Sequence, residues 1–380
     1  MDKHQSSISI MSYALQLAEK GRFTTSPNPM VGCVVVRDGK IIGEGWHLRA
    51  GEEHAEAIAL GQAGHMAHSS EVYITLEPCA HFGRTGPCVN LLLEARVGSV
   101  IISSEDPNPL VRGNGIEKLQ SAGIAVKLGL LEDQARHLNR GFFKRHKKGL
   151  PWVTVKMAAS LDGRTAMADG QSQWITSPSA RLDVQRLRAQ SCAIVSGIGT
   201  QRIDDPSLSL RVDYEALGSD PAVANSDLRQ PLRVIVDSRC EMATDSKLFS
   251  QTGRILVASV DGDIQRERAE KLIEAGAEVE FFSESGHGQV DLTQLLYRLA
   301  QFGCNNVLVE AGATLAGSFI AEGITDEFIY YMAPKLMGSN ARPLFRLPIN
   351  MMDAHLAMSI RDMRRVGDDI RITLSPDSDY

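Results

Sequence analysis

The chain predicts an α/β protein in two domains, and three observations carry that reading. Between residues 31 and 128, short apolar runs of strand length alternate with stretches of helical periodicity. The alternation restarts at residue 152, after a basic segment that closes on Gly149-Leu-Pro151. With 380 residues, 43% of them hydrophobic and 23% charged, the chain has apolar material for more than one core. Domains are therefore expected at 1–149 and 150–380.

Taken in order, residues 8–20 set Ile10, Ala14, Leu17 and Ala18 near helical spacing and stop at Gly21. Residues 31–36 form an apolar strand, Asp38-Gly39 a hairpin turn signal, and 40–45 the returning strand. Helices are expected at 54–60, 87–96 and 116–122, with strands at 72–76, 99–103 and 124–128. In the second half, strands are expected at 152–157, 192–195, 232–236, 254–260, 278–282 and 306–309. Helices fall between them at 178–189, 263–275 and 291–302. Residues 312–319 read as a loop opening a helix, residues 325–332 and the last thirty as strands, and 213–230 as a polar loop.

Composition excludes several classes. A net charge of −6 weighs against a protein that lives on nucleic acid. Six scattered cysteines make no disulfide framework, so a reducing, cytoplasmic setting is expected. The first residues are too polar for a signal peptide, and no apolar run reaches the length of a membrane span. The basic run 144–148 reads as a solvated helix end, a phosphate-binding patch being the alternative. A small-molecule substrate is expected, with no nucleic-acid or membrane partner, and a homo-oligomer (dimer or tetramer) as the assembly.

Chemistry concentrates in His54-Ala-Glu56, Pro78-Cys79 and Cys88. One histidine and two cysteines are the three protein ligands of a catalytic zinc whose fourth position is open; a structural site usually recruits a fourth Cys or His. A glutamate two residues after the histidine suits the carboxylate that moves protons in zinc deaminases. The spacer between Cys79 and Cys88 is longer than the two-residue spacer of the general deaminase signature, and it carries His81 and Arg84. A guanidinium and an imidazole beside a metal site suit an anionic substrate. In the second half no G-x-G-x-x-G follows a predicted strand. Gly312-Ala-Thr-Leu-Ala-Gly317-Ser318 has the spacing of a P-loop without its lysine, and a strand leading to a helix start there can still hold phosphate on backbone N–H groups.

These residues sit in longer motifs: Ser26-Pro-Asn28-Pro-Met-Val-Gly32, Gly45-Trp-His47, Thr75-Leu-Glu-Pro-Cys79-Ala-His81-Phe-Gly-Arg84-Thr-Gly-Pro-Cys88 and Asp106-Pro-Asn108-Pro. With Lys156-Met-Ala158-Ala-Ser-Leu-Asp162, Ser172-Gln-Trp174, Ile203-Asp204-Asp205-Pro206 and Val309-Glu310-Ala-Gly312, they resemble the bacterial bifunctional riboflavin-biosynthesis deaminase/reductases over nearly the whole chain. The resemblance implies an N-terminal cytidine-deaminase-like three-layer domain and a C-terminal dihydrofolate-reductase-like domain. It implies zinc on His54, Cys79 and Cys88 with Glu56 as general acid/base, and a phosphorylated pyrimidine against Asn28, His47, His81, Arg84, Asp106 and Asn108. For the reductase it implies NADPH against Ala158, Trp174, Thr200, Asp204, Ser238 and Gly312, Ala313, Thr314, Leu315, Ala316, Gly317 and Ser318. Substrate would meet Ser172, Arg188, Leu208, Arg211 and Glu310. Two arginines suit a ribose phosphate. Ser238 and Arg239 at a strand end suit the cofactor's extra phosphate, with Asp237 the ambiguity. Glu310 and Lys156 are both candidates for the reductase proton donor.

Overall fold

The structure is a computed structural model, and it describes residues 3–80, 86–220, 229–286 and 288–377. It divides into two units, Met1–Gly149 with Gly218–Asp227, and Leu150–Leu217 with Leu228–Tyr380.

The first unit runs α1 (Lys3–Glu19), β1 (Gly32–Arg37), β2 (Lys40–Trp46), α2 (Ala55–Ala63), β3 (Glu71–Ile74), α3 (Cys88–Glu94), β4 (Ser99–Ile102), α4 (Asn114–Ser121), β5 (Ala125–Leu128), α5 (Glu132–Leu138) and α6 (Arg140–Lys148). The five strands form one sheet in the order β2-β1-β3-β4-β5. β1 is antiparallel to both β2 and β3, whereas β3, β4 and β5 run parallel. Side chains alternate across a strand, so Gly32 faces one side of the sheet while Gly43 and Gly45, opposite Val35 and Cys33, face the other. A Cβ on Gly32 would lie 2.0 Å from the Ala14 carbonyl oxygen, and one on Gly43 would lie 2.1 Å from that of Ala59. Those glycines let α1 and α2 lie directly on opposite faces of the sheet, which makes the unit three layers. On the α2 face the core is Cys33, Val35, Ala59, Ile74, Leu92, Ile102 and Leu119. The basic run 144–148 ends α6, which stops at Gly149 in the left-handed region (φ 70°).

The second unit runs β6 (Trp152–Ser160), β7 (Arg164–Ala166), α7 (Pro178–Gln190), β8 (Ala193–Gly197), α8 (Ile198–Asp204), α9 (Tyr214–Leu217), β9 (Leu232–Val236), β10 (Ile255–Val260), α10 (Asp263–Glu274) and β11 (Glu278–Phe282). It continues through β12 (Glu284–Ser285), β13 (Gln289–Val290), α11 (Leu292–Gln301), β14 (Asn306–Val309), α12 (Ala313–Ala321), β15 (Glu327–Ala333), β16 (Arg342–Pro343), β17 (Met358–Val366) and β18 (Asp369–Pro376). Nine strands make one sheet in the order β11-β10-β9-β8-β14-β6-β15-β18-β17. It is parallel from β11 to β15, and β18 and β17 add an antiparallel edge. Strands β9 and β10 are buried along their whole length, as a parallel sheet covered on both faces requires. Helices α11 and α12 pack on one face; α10 and α7 pack on the other.

The sequence reading leaves out α5 and α8 and gives only the basic end of α6. It reads 312–319 as a loop opening a helix; the loop part ends at Gly312, and α12 begins at Ala313. The run Ala-Thr-Leu-Ala has high helix propensity and packs Ala316 and Phe319 into the core, which outweighs the two glycines. Part of the polar loop, Tyr214–Leu217, is a helical turn.

Candidate functional site

The first site gathers at strand and helix ends. His54 is the N-cap of α2, Cys88 is the first residue of α3 behind the N-cap Pro87, and Cys79 follows β3. His54 Nδ1 lies 3.2 Å from Cys88 Sγ and 3.7 Å from Cys79 Sγ, and the three ligand atoms all lie within 4.8 Å of one another. Zinc–nitrogen and zinc–sulfur bonds of about 2.0 and 2.3 Å at a tetrahedral angle place N and S about 3.5 Å apart, so the donor set fits zinc. The backbone N–H of Cys88 donates to Cys79 Sγ at 3.3 Å. A hydrogen bond from Cys88 and the neighbouring His54 hold the Cys79 thiol down at about 4, against burial. Thiolate is the form that binds metal. Cys88, holding the shared proton and buried, is pushed up.

Glu56 sits in the first turn of α2 with only 3% of its surface exposed. Burial raises its pKa, the neighbouring Cys79 adds to the rise, and His54 opposes it. A carboxylate so placed can take a proton and give it back. His47 is packed edge-on against His54 with ring centroids 5.2 Å apart. Its Nδ1 bonds the Glu53 carbonyl at 3.0 Å, and its Nε2 is 3.0 Å from Asn28 Nδ2. Burial lowers the His47 pKa, so the neutral ring donates from Nδ1 and accepts at Nε2. Asp106 is buried, and burial is the main reason its pKa rises to about 6, with Glu77 and Cys79 adding to it. Its Oδ1 accepts the Asn108 N–H at 2.8 Å. His81 and Arg84 lie outside the described residues. Sequence reasoning did not find Asn139, which bonds both backbone groups of Met30 at 2.8 Å and so fixes the loop carrying Asn28. Nothing in the sequence near residue 139 signals this, because the partner is 109 residues away.

The second site is a cavity of about 1280 Å³ at the carboxyl ends of β8, β9 and β14, the end where parallel α/β sheets bind ligands. Ala158, Ser172, Trp174, Arg188, Thr200, Asp204, Leu208, Arg211, Glu310, Gly312, Ala313, Thr314, Leu315 and Ser318 all line it. The first N–H groups of a helix have no partner within it, so the start of α12 on the cavity wall fits a dinucleotide's phosphates. Thr200 Oγ1 accepts the Gly312 N–H at 3.0 Å, and Ser172 donates to Asp204 Oδ1 at 3.1 Å.

Ala316, Gly317 and Ser238, three of the expected cofactor contacts, stand behind the cavity surface, Ser238 bonding two of its lining residues, Gln289 and Val290. Ala316 is fully buried in the core, and a Cβ on Gly317 would lie 2.2 Å from the Arg346 carbonyl oxygen; both follow from 313–318 being helix. Ser238 is buried, its hydroxyl accepting the Val290 N–H at 3.1 Å, and neither it nor Arg239 lines the cavity. Arg188 is tied into the cavity wall: its Nε and Nη2 bond Glu310 at 2.6 and 3.1 Å and its Nη1 bonds the Ser209 carbonyl at 3.0 Å, which engages three of the five guanidinium N–H groups. Arg211 is exposed in the cavity, its N–H held by Gln185 Oε1 at 3.0 Å. Lys156 Nζ lies 3.7 Å from Glu310 Oε2; burial lowers its pKa, against the pull of Glu310.

Fold and sites together define a two-headed enzyme, a zinc deaminase followed by a dinucleotide-dependent reductase. Residues 4–104 match the cytidine and deoxycytidylate deaminase zinc-binding region, and residues 151–372 match the RibD C-terminal domain. The chain is 45% identical over 365 residues to the riboflavin biosynthesis protein RibD of Escherichia coli (strain K12), covering 96% of this chain and 98% of that one. It is 46% identical over 371 residues to RibD of Haemophilus influenzae, with 96% of each chain covered. Among solved structures, Acinetobacter baumannii RibD superposes with a TM-score of 0.88 at 40% identity, over 99% of this chain and all of that one. A Thermotoga maritima diaminohydroxyphosphoribosylaminopyrimidine deaminase/5-amino-6-(5-phosphoribosylamino)uracil reductase superposes with a TM-score of 0.83 at 28% identity, over 98% and 99% of the two chains. The chain belongs to the RibD family of bifunctional riboflavin-biosynthesis enzymes, which use zinc in the deaminase and NADPH in the reductase. Among the described residues, no helix is long and apolar enough to cross a membrane.

Proposed function

We propose that the first domain deaminates a diamino-phosphoribosylamino-pyrimidinone and that the second reduces the ribosylamino product to a ribitylamino one. The observation that carries the first step is the set of three ligand atoms within 4.8 Å with a buried Glu56 beside them. Bound zinc supplies a Lewis acid that brings the pKa of its water close to 7. Glu56 takes a proton on its carboxylate and returns it to the departing ammonia. Asn28, His47, Asp106 and Asn108 orient the pyrimidine, with His81 and Arg84 expected beside them. In the second domain, bound NADPH supplies the hydride. Arg188 and Lys156 outweigh burial and keep Glu310 below the usual carboxylate range, so Glu310 stays ionised. Lys156, its pKa lowered by burial, is the better proton donor to the sugar oxygen. Arg211 meets the substrate phosphate.

The domain boundary near residue 149, a cytoplasmic setting and self-association complete the reading. Ile360 and Met363, 63% and 66% exposed, share a sheet face with Ile372 and Leu374, and such an uncovered apolar face supports a homo-oligomer. Light scattering of the full chain checks the oligomer. Mass spectrometry of the pyrimidine incubated with enzyme checks the activities. An amine should be exchanged for oxygen without NADPH, and two hydrogens gained only with it. No exchange by zinc-loaded protein refutes the first assignment.

A further inference from the structure

Glu77 follows β3, precedes Cys79 by two residues and is 4% exposed. Its Oε2 accepts the N–H groups of Asp106 at 3.3 Å and Gly113 at 3.0 Å. Its Oε1 accepts those of Gly115 at 3.0 Å and Ile116 at 3.4 Å. These donors belong to the loop after β4 and the first turn of α4, and that loop carries Asp106 and Asn108. A Cβ on Gly115 would lie 2.3 Å from the Pro78 carbonyl oxygen, so loop and strand end meet at a distance only glycine permits. Farther along the same strand end, Lys118 Nζ donates to the Ala80 carbonyl at 2.9 Å.

A carboxylate suits this place for a physical reason. Each of its two oxygens receives two N–H groups, and the start of a helix favours the negative charge. A glutamine would offer one accepting oxygen and turn an NH₂ toward two donors. Cys79 has anchors of its own in the Cys88 N–H and, through Ala80, in Lys118.

We infer that Glu77 is a positioning residue of the deaminase, fixing the Asp106–Asn108 loop at its reach from the Cys79 ligand and thereby governing substrate binding rather than metal binding. This rests on the reading of Asp106 and Asn108 as substrate contacts.

The test uses the full-length chain, with zinc content and deaminase KM and kcat measured for Glu77→Gln, Asp106→Ala and the double variant. Thermal unfolding of each variant, followed by circular dichroism, checks that the deaminase domain is folded. Glu77→Gln should retain zinc and keep kcat within about threefold while raising KM about tenfold or more. Added to Asp106→Ala, it should raise KM by less than about threefold, because the two act through one loop. An unchanged KM, a loss of zinc, or the full tenfold rise on top of Asp106→Ala overturns the inference. Gly115→Ala, which pushes the same loop away and leaves the carboxylate in place, should raise KM with zinc retained; an unchanged KM there overturns it as well. If Asp106→Ala itself leaves KM unchanged, it is the reading of the substrate contacts that fails.

Discussion

Arg188 meets Glu310 through paired hydrogen bonds of 2.6 and 3.1 Å, with both side chains about one-tenth exposed. Removing one partner of a buried pair strands the other's charge, at a typical cost of about 3–5 kcal/mol. Arg188→Met should therefore destabilise the reductase domain by that order, as read from denaturant unfolding.

The pair also sets a pH dependence. Burial alone would raise the pKa of Glu310, but Arg188 and Lys156 bring it below its ordinary 4.5. A carboxylate depressed in the folded state contributes stability above its unfolded pKa and loses it as pH falls through the folded value. The wild type should lose that contribution on acidification below 4.5. In Arg188→Met the poorly paired Glu310 gains from protonation, so the stability gap should narrow as pH falls. A gap that stays constant between about pH 7 and pH 4 would refute the coupling.

Arg211 presents an exposed guanidinium in the cavity, where a phosphate can pair with it. Arg211→Ala should raise the reductase KM for the phosphorylated pyrimidine about ten- to hundredfold, as loss of a charge-assisted contact does. The dissociation constant of NADPH, measured by fluorescence titration, should not move. An equal loss of NADPH affinity would place Arg211 on the cofactor instead.

Glu56→Gln is isosteric and leaves His54, Cys79 and Cys88 untouched. Zinc content should be normal and deamination should fall about a hundred- to ten-thousand-fold, toward the upper end because one carboxylate serves both proton transfers. Reduction of already deaminated substrate should run at the parent rate. Deamination within a few-fold of the parent removes Glu56 as the proton carrier.

A chelator should abolish deamination and spare the reductase, and restored zinc should recover it. Cys79→Ser and Cys88→Ser should each lose zinc by elemental analysis. Normal zinc in either variant removes that cysteine from the ligand set.

The α/β class, nearly every long element and the candidate metal ligands are legible from local sequence alone. Strand periodicity, turn pairs and ligand spacing are local properties, and His54, Glu56, Cys79 and Cys88 are legible for that reason. Contacts between residues far apart in the chain emerge only once it is folded. Asn139 bonds Met30 across 109 residues, and Glu77 gathers four N–H groups from a loop about thirty to forty residues on. Arg188 pairs with Glu310, 122 residues away, a partner that no local pattern around residue 188 announces. Residues 312–319 read as a loop opening a helix, and packing of Ala316 and Phe319 against the sheet sets where that helix begins, at Ala313. A side chain's type states which bonds it can form; only the fold determines which partner arrives first.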